Sequence, residues 1–293
     1  MTAEKILITG GTGTIGSYLT QLLAERGVRV RLLVRNPERA AAARKAGFAL
    51  AQGDLTDPAS LNRAMDGADR ILLLSSPEDR QRELHANAIR SAKSVGVRHI
   101  VRVSAFGADP SGPTLLARSH GECEQELEAS GLAYTHVRPH SFMQNFFGYL
   151  GTIHAYGIFY GCMKDGKIAM VDARDIASVC AECLTGTGHE GRTYVVTGPE
   201  AISMGEAAQA LSSACGEPIH YVDLPPEQFE RGARDSGMPA WLAHDLAWLC
   251  SNVFAAGLGA EITGTVAEVT GKAPLRFADF ARDYADRFRK PAA

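Results

Sequence analysis

Short apolar runs alternate with amphipathic segments along the first half of this chain. Runs rich in Val, Ile and Leu are typical of buried strands, and the pattern predicts strands at 5–9, 28–34, 48–52, 70–75, 98–104 and 133–138. Apolar residues at helical spacing predict helices at 14–26, 37–46, 58–66, 80–95 and 115–130. Because strands that alternate with helices form right-handed βαβ units, we expect an α/β fold with a doubly wound parallel sheet.

The pattern changes after Arg138. Residues 139–165 are rich in aromatic residues and glycine, and the pattern then returns to one helix, 174–185, and one strand, 192–197. From Ser203 onward helices predominate, and they are predicted at 204–214, 225–236, 239–256 and 276–288. We therefore expect a sheet domain at 1–138 with a return at 167–198. The remaining residues, 139–166 and 199–293, are expected to form a smaller, mainly helical lobe.

Composition narrows the class of protein without identifying a function. The chain has 293 residues, 45% of them hydrophobic and 22% charged, as is ordinary for a globular protein with a large core. A net charge of -3 gives no reason to expect a nucleic-acid partner. No apolar run approaches the roughly 20 residues that span a bilayer, and the start, MTAEKILITG, lacks the pattern of a secretion signal. We expect a cytoplasmic protein that binds neither nucleic acid nor membrane.

Six cysteines are scattered along the chain and are expected to be reduced thiols. Cys180 and Cys183 form a C-x-x-C in a segment with amphipathic helical spacing. No second pair follows at zinc spacing, so we interpret both as core thiols and predict no metal site.

A glycine-rich turn joins the first predicted strand to the first predicted helix. Gly11, Gly13 and Gly16 follow the spacing G-x-G-x-x-G. Glycines let the backbone approach a pyrophosphate, and the N–H groups at a helix start bind phosphate oxygens. The order strand, glycines, helix indicates a Rossmann-type dinucleotide site, with an ordinary glycine-rich turn as the alternative. The predicted cofactor-binding residues of this turn are Thr9, Gly10, Gly11, Thr12, Gly13, Thr14, Ile15 and Gly16.

The end of the second predicted strand indicates which dinucleotide binds. NAD-binding units place an acidic residue there, which binds the ribose 2′-hydroxyl. Here that position holds Arg35, whose guanidinium pairs with a phosphate dianion instead. The segment from Arg26 to Lys45 has seven basic residues and one acidic residue, Glu38. We therefore expect NADPH, with NADH also accepted if the basic segment is only a solvated loop and Glu38 contacts the ribose.

Two further strand ends carry candidate cofactor contacts. Asp54 and Leu55 follow the third strand, and Asp54 is placed to meet the adenine amino group or to cap the following turn. Ser75, Ser76 and Pro77 follow the fourth strand and are expected beside the ribose and phosphates, unless they form a plain turn.

The chain resembles the NmrA-like family of atypical short-chain dehydrogenase/reductases over nearly its whole length. The motifs that carry the resemblance are TGGTGTIG, LLVRNPER, GDL, LLLSSP, HIVRVSAFGA, VDARDIASV and GRTYVVTGPEAISMGEAA. In pattern it is similar to bacterial NAD(P)H-dependent quinone reductases, triphenylmethane-dye reductases and flavin-free azoreductases. The resemblance implies an oxidoreductase that needs neither flavin nor metal. Dimers are common among such folds, so a homodimer stays open.

The catalytic pair of typical short-chain dehydrogenases is absent from its usual helix. Those enzymes use Tyr-x-x-x-Lys, in which the lysine lowers the pKa of the phenol. Here His120 and Glu124 stand at about those positions, and Ser104 ends the fifth strand near substrate. A literal Tyr160-x-x-x-Lys164 occurs later, in a segment without helical spacing, and we interpret it as coincidence. His120 is expected to contact substrate or donate a proton because imidazole titrates near neutrality; a surface or capping histidine is the alternative.

An aromatic segment in the smaller lobe is a candidate pocket for flat rings. Phe142, Met143, Phe146 and Phe147, together with Phe106 after the fifth strand, are the predicted substrate-binding residues. Their helical spacing is equally typical of core packing.

These observations predict NADPH-dependent hydride transfer to an electron-poor aromatic acceptor: a quinone, an azo dye or a triphenylmethane dye. Such acceptors need little acid catalysis, so the protein mainly has to place the nicotinamide. A redox sensor that binds the dinucleotide without turnover is the alternative from a different class. A biosynthetic enone or imine reductase also stays open, whereas a sugar-nucleotide epimerase is disfavoured because it depends on the missing tyrosine.

Overall fold

The computed structural model describes residues 5–38 and 40–291. They form two compact units. The first comprises the described residues up to Pro139 together with Ile176–Val195. The second comprises His140–Asp175 together with the described residues from Val196 onward.

The chain up to Pro139 alternates between strands and helices, as the hydrophobic pattern predicts. The strands are β1 (Ile6–Ile8), β2 (Val30–Val34), β3 (Ala49–Gln52), β4 (Arg70–Leu73), β5 (His99–Val103) and β6 (Ala133–Pro139). The helices are α1 (Thr14–Glu25), α2 (Ala41–Lys45), α3 (Pro58–Met65), α4 (Gln81–Ser94) and α5 (Leu115–Ala129). Helix α2 begins later than predicted because the Asn36 side chain accepts a hydrogen bond from the Glu38 N–H at 2.8 Å and holds a local turn.

Beyond Pro139 the elements are more varied. They are α6 (Leu150–Tyr156), β7 (Ile158–Gly161), α7 (Ala173–Thr185), β8 (Arg192–Val196), α8 (Met204–Cys215), β9 (His220–Asp223), α9 (Pro226–Asp235), α10 (Ala240–Leu249), α11 (Thr265–Thr270), α12 (Phe277–Asp283) and α13 (Ala285–Phe288). A 3₁₀ helix, Met143–Tyr149, precedes α6, and a π-helical turn, Cys250–Phe254, follows α10.

Several of these elements differ from the sequence-based expectation. Strands β7 and β9 were not predicted, and they pair in parallel with each other as a two-stranded sheet. Four residues are too few for an alternating pattern to stand out. The helix predicted at 276–288 is divided at Tyr284, whose φ of -114° is not helical.

The first unit is built on a seven-stranded parallel sheet of order β3-β2-β1-β4-β5-β6-β8. Ile6 is paired with Val30 on one side and with Arg70 on the other, so β1 lies between β2 and β4. Strand order therefore reverses at β1, and ligands of open α/β sheets bind at the carboxyl ends of the strands at such a point. The predicted doubly wound Rossmann-type α/β fold, with a helical C-terminal region, is confirmed.

Each unit has its own hydrophobic core. In the first, Leu7, Ile71 and Ile100 of the sheet pack with Leu61 of α3 and Leu127 of α5. The core of the second is rich in aromatic rings, and it includes Phe146, Phe159, Phe277, Phe280 and Phe288. All six cysteines are free thiols with buried side chains. Among the described residues, no helix combines the length and apolarity needed to cross a bilayer.

Candidate active site

The glycine turn between β1 and α1 has the geometry of a phosphate-binding loop. Gly10 has φ +63°, which favours glycine. A Cβ at Gly16 would lie 2.1 Å from the Gly10 carbonyl oxygen, so only glycine lets helix and loop approach this closely. The residue before α1, Gly13, supplies no side-chain cap, and the first turn contains no acidic residue. The N–H groups at the start of α1 are therefore available to an anion.

The other predicted residues of this turn differ in whether their side chains are buried or exposed. The Thr9 hydroxyl donates to the Leu74 carbonyl at 2.7 Å and accepts from the Leu74 N–H at 2.8 Å, which ties the ends of β1 and β4 together. Ile15 is buried in the core, whereas Thr12 and Thr14 are exposed. Thr9 and Ile15 thus support the loop, and the exposed threonines are the ones that a ligand can reach.

Arg35 follows β2 directly, and its side chain is exposed. No described carboxylate pairs with it within ion-pair distance, which leaves the guanidinium available to a phosphate. The nearby carboxylate of Asp54 has a pKa below its usual range, because Thr56 donates to it and because Arg35 adds positive charge. Arg39 of the same basic segment lies outside the described residues.

Asp54 and Leu55 follow β3 closely, and both make hydrogen bonds to other residues of the protein. Asp54 Oδ1 accepts from the N–H and from the hydroxyl of Thr56, each at 2.8 Å, which is the turn-capping alternative. The Leu55 carbonyl accepts from the Asn87 side chain at 2.9 Å. Asp54 Oδ2 makes no hydrogen bond to any described residue, so contact with an adenine amino group stays a prediction.

The residues after β4 differ in exposure. Ser75 is half-buried, and its hydroxyl lies 3.0 Å from His85 Nε2. Ser76 and Pro77 are exposed. Ser75 is therefore held by the protein, while its neighbours are free to meet a ligand.

His120 lies on α5 and is buried, with 7% of its surface exposed. Its Nδ1 is 3.1 Å from an Nη2 of Arg102. Burial, with the charges of Arg102 and Arg138, lowers the pKa of His120 to about 3. The imidazole is therefore neutral at pH 7, and the expectation that it titrates near neutrality is wrong because a desolvated ring beside a guanidinium resists protonation.

Glu124 does not serve His120 as a lysine would serve a catalytic tyrosine. It forms a two-pronged ion pair with Arg138 of β6, in which Arg138 Nε donates to Oε1 at 2.9 Å and Arg138 Nη2 contacts Oε2. Although burial favours the neutral carboxyl, hydrogen bonding from Arg138, together with the nearby Ser104 hydroxyl, keeps the pKa of Glu124 below its usual range. The buried Ser104 hydroxyl itself makes no well-formed hydrogen bond to any described residue. The acid–base pair of typical short-chain dehydrogenases is thus not rebuilt from these residues.

Ser104 and Phe106 continue the end of β5. The Ser104 N–H donates to the Val137 carbonyl at 2.7 Å, and the Phe106 N–H donates to the Pro139 carbonyl at 2.9 Å. Ser104 is buried and Phe106 is half-buried. Both positions are set by the backbone ladder between β5 and β6.

The aromatic segment of the second unit divides between core and surface. Met143 and Phe146 are buried, and the Phe146 ring lies 5.0 to 5.8 Å from Tyr149, Phe159 and Phe277. Met143 and Phe146 therefore pack in the core, which was the alternative to a substrate pocket. Phe142 is half-buried and precedes the 3₁₀ helix.

Phe147 also packs within the second unit. Its ring contacts Phe280, and the guanidinium of Arg287 lies 3.8 Å from the centre of the Phe147 ring.

The Tyr160-x-x-x-Lys164 string does not form a helix. Tyr160 is in β7, and Lys164 follows in a turn with φ +52°. The two side chains of that string therefore do not share a helix face.

Two polar residues at this site were missed by the sequence analysis. Arg102 lies within β5 and is fully buried, and its Nε donates to His85 Nδ1 at 3.1 Å. An arginine inside the apolar run HIVRV was a visible signal, since a buried charge needs partners. His85 carried no such signal, because a histidine on a helix is ordinary.

Comparison with known proteins agrees with this geometry. A family profile described as NAD(P)H-binding matches residues 10–187. The chain is 39% identical to the NAD(P)H azoreductase of Xenophilus azovorans, over 97% of this chain and 99% of that protein. It is 35% identical to the (4-alkanoyl-5-oxo-2,5-dihydrofuran-3-yl)methyl phosphate reductase of Streptomyces griseus, over 97% and 99% respectively. The NADPH complex of quinone oxidoreductase QOR2 from Escherichia coli has a TM-score of 0.85 and 31% identity, covering 95% of this chain and 99% of that one.

Proposed function

Since this chain belongs to the NAD(P)H-binding family and is an NAD(P)H-dependent reductase, we propose that it transfers hydride from NADPH directly to an electron-poor aromatic acceptor. A quinone, an azo dye or a triphenylmethane dye is the proposed substrate class. The family resemblance predicted from the motifs is confirmed by the same relatives.

The observation that carries this proposal is the absence of a general acid among the described residues around His120. His120 stays neutral, and Glu124 is engaged by Arg138. Reduction of an unactivated ketone needs a proton at the developing alkoxide. A quinone, by contrast, accepts hydride to form a hydroquinone anion, which then takes a proton from water while NADPH becomes NADP⁺.

The cofactor is proposed to bind at the carboxyl ends of β1, β2 and β4. The N–H groups at the start of α1 suit the pyrophosphate, and the exposed guanidinium of Arg35 suits the 2′-phosphate that distinguishes NADPH from NADH. Ser75, Ser76 and Pro77 are proposed to line the ribose and phosphates. We propose that turnover needs neither flavin nor metal.

Near the hydride donor, His120 and Ser104 are proposed to contact the acceptor through hydrogen bonds. The half-buried Phe106 is proposed to contact its ring. Phe142 is proposed separately to bind an aromatic substrate, because its side chain is also only half-buried. A homodimer is proposed on the family resemblance alone, and the cytoplasmic location expected from the sequence is kept as a proposal.

The decisive experiment uses NADPH that carries deuterium at the transferred position. A triphenylmethane dye receives hydride at its central carbon, and the C–H bond formed there does not exchange with water. Direct transfer therefore predicts a leuco dye that keeps the deuterium, whereas passage through a flavin would lose the label to solvent. Loss of the label would overturn direct transfer.

A turnover panel tests the substrate class itself. NADPH consumption would be followed with quinones, azo dyes, triphenylmethane dyes and a dihydrofuranone enone. Oxidation with the aromatic acceptors is expected. Tight NADPH binding with no oxidation by any acceptor would favour a redox sensor, and oxidation by the enone alone would favour a biosynthetic enone reductase.

A further inference from the structure

Arg102 is the centre of a buried polar cluster in the first unit. It lies in β5 and has no exposed surface. Its Nε donates to Nδ1 of His85 on α4, and its Nη2 lies 3.1 Å from Nδ1 of His120 on α5. His85 Nε2 in turn lies 3.0 Å from the hydroxyl of Ser75, after β4. One side chain thus connects three elements around the strand ends.

The direction of each hydrogen bond follows from the chemistry of arginine. A guanidinium has only donors and keeps its proton in proteins. Both Nδ1 atoms must therefore accept, so in each neutral ring the proton is on Nε2. The Nε2–H of His85 must then donate to the Ser75 oxygen. The Ser75 hydroxyl proton and the Nε2–H of His120 are left to donate elsewhere.

We infer that Arg102 is a positioning residue, which holds His85 and His120 as neutral Nε2–H tautomers and so presents Ser75 and His120 as hydrogen-bond donors to the oxygens of bound cofactor and acceptor. The parts about the cofactor and the acceptor rest on the proposed function. The tautomers do not depend on it, because they follow from contacts within the first unit.

The charges around the cluster support neutral rings. Arg102 Nη1 lies 4.0 Å from Glu124 Oε1, and the same carboxylate pairs with Arg138. The Cys123 thiol on α5 also faces Arg102, and burial raises its pKa. Burial and Arg102 lower the pKa of His85 well below its usual value, as they do for His120. Among these groups only Glu124 is negatively charged, and its carboxylate lies between the guanidinium groups of Arg102 and Arg138. Neither imidazole has a carboxylate partner among the described residues.

The inference has a consequence for substrate preference. Hydride transfer to a quinone builds negative charge on an oxygen, which the His120 Nε2–H would stabilise. Hydride transfer to a cationic triphenylmethane dye only neutralises a carbocation and builds no such charge. Loss of the His120 donor should therefore slow quinone reduction much more than dye reduction.

The first test measures the tautomers in the full-length protein without any variant at Arg102. Protein with ¹⁵N-labelled histidine would be studied by long-range ¹H–¹⁵N NMR from about pH 5.5 to 8. His85→Gln and His120→Gln would assign the two rings. Protonated Nε2 and unprotonated Nδ1 are expected for both rings across that range. An Nδ1–H tautomer or an imidazolium at either ring would overturn the inference.

The second test replaces Arg102 with Met and with Lys. Arg102→Met should remove the single tautomer of both rings, and Arg102→Lys should retain it for one ring at most, because an ammonium lacks the planar fork. The matched control is Arg98→Met, since Arg98 precedes the same strand but pairs with Asp69 at 3.2 Å on the surface. A folded Arg102→Met protein that keeps both Nε2–H signals would contradict the inference. If it does not fold, the tautomers of the unaltered protein decide.

The third test is the ratio of two activities. In folded Arg102→Met or Arg102→Lys protein, the ratio of kcat/KM for a quinone to kcat/KM for a triphenylmethane dye should fall by about tenfold or more. Any loss of the Ser75 contact with the cofactor slows both reactions and cancels in this ratio. Equal losses would indicate a merely structural role. If neither acceptor is reduced by the unaltered protein, the proposed function fails while the tautomer measurement still stands.

Discussion

At the scale of single residues, burial and ion pairing separate the charged groups that stabilise the fold from those that are proposed to bind a ligand. Glu124 is buried and committed to Arg138, whereas Arg35 is exposed with no described carboxylate pairing with it. A buried ion pair has already given up its water and gains little by meeting a ligand. An exposed guanidinium at a strand end can still form a bidentate pair with a phosphate.

Arg35→Asp should reverse the preference between NADPH and NADH. The charge-assisted bonds lost are worth about 1.5–3 kcal/mol, so affinity for NADPH should fall by roughly tenfold to a hundredfold while affinity for NADH is kept or improved. Arg44→Asp, at an exposed position on α2, makes the same change in net charge and is the control. Dissociation constants from cofactor fluorescence would measure this. An unchanged ratio would exclude Arg35 from the 2′-phosphate site.

Asp175 is a buried carboxyl whose ionisation should cost stability. Burial raises its pKa to about 6, against the opposing effect of the hydrogen bond from the Leu275 N–H. Because the folded state holds the proton more tightly than the unfolded state, stability is fully present below the ordinary pKa and declines as pH rises to about 6. Ionised Asp175 thus destabilises the protein at neutral pH.

Asp175→Asn keeps an oxygen for Leu275 and removes the charge. The free energy of unfolding should rise by about 3 kcal/mol at pH 8 and by about half of that at pH 5. Urea denaturation at both pH values would measure it. Asp165→Asn, at an exposed position, should have little effect at either pH. A stability change independent of pH would show that the carboxyl is not the source.

At the scale of elements, the turn between β1 and α1 is the proposed binding site for the cofactor pyrophosphate. The proposed contacts come from backbone N–H groups, so they depend on the absence of side chains rather than on their chemistry. Gly16 is the strictest position, since its missing Cβ makes room for the Gly10 carbonyl.

Gly16→Ala should therefore displace the loop from the helix start. We expect NADPH affinity to fall by at least tenfold and the unfolding free energy to fall by about 1–3 kcal/mol. Gly205→Ala on α8 is the matched control, because a Cβ there meets nothing nearer than 3.7 Å, and alanine favours a helix by about 1 kcal/mol. Titration calorimetry and denaturation would compare them. Unimpaired NADPH binding by the Gly16→Ala protein would contradict this role.

The aromatic residues can be tested in the same paired way. Phe146→Ala removes a buried ring of the second unit and should cost about 3–5 kcal/mol of stability. Phe106→Ala removes a half-buried ring and should cost less than about 1.5 kcal/mol, while raising KM for aromatic acceptors. Steady-state kinetics and urea melts would distinguish the two. A large rise in KM on replacing Phe146, without loss of stability, would reverse these assignments.

At the scale of the whole molecule, cofactor binding should stabilise the native chain. A ligand that binds only the native state adds about 2.7 kcal/mol at a hundred times its Kd. NADPH should therefore raise the melting temperature by several degrees, and NADH at equal concentration by less. The Arg35→Asp protein should show the opposite order. Equal shifts for both cofactors in the unaltered protein would argue against recognition of the 2′-phosphate.

Much of the first unit could be predicted because its strands are apolar runs buried on both faces. Ile6, Leu7 and Ile8 read as a strand from composition alone, and the glycines after them mark the turn. Strands β7 and β9 were missed because each has four residues and they pair across more than 50 positions of the chain. Periodicity is a local signal, and such pairing is not local.

The doubly wound fold, the glycine-rich turn after β1 and the basic residue at the end of β2 could all be predicted from the amino-acid sequence. These depend on residues that are neighbours in the chain or that recur with the period of a helix or strand. The folded structure was needed to show that the His120 ring is neutral, that Glu124 pairs with Arg138 and that Phe146 lies in a core. The protonation state of a side chain depends on what surrounds it in space, and the groups around His120 come from α5, β5 and β6, which only folding brings together.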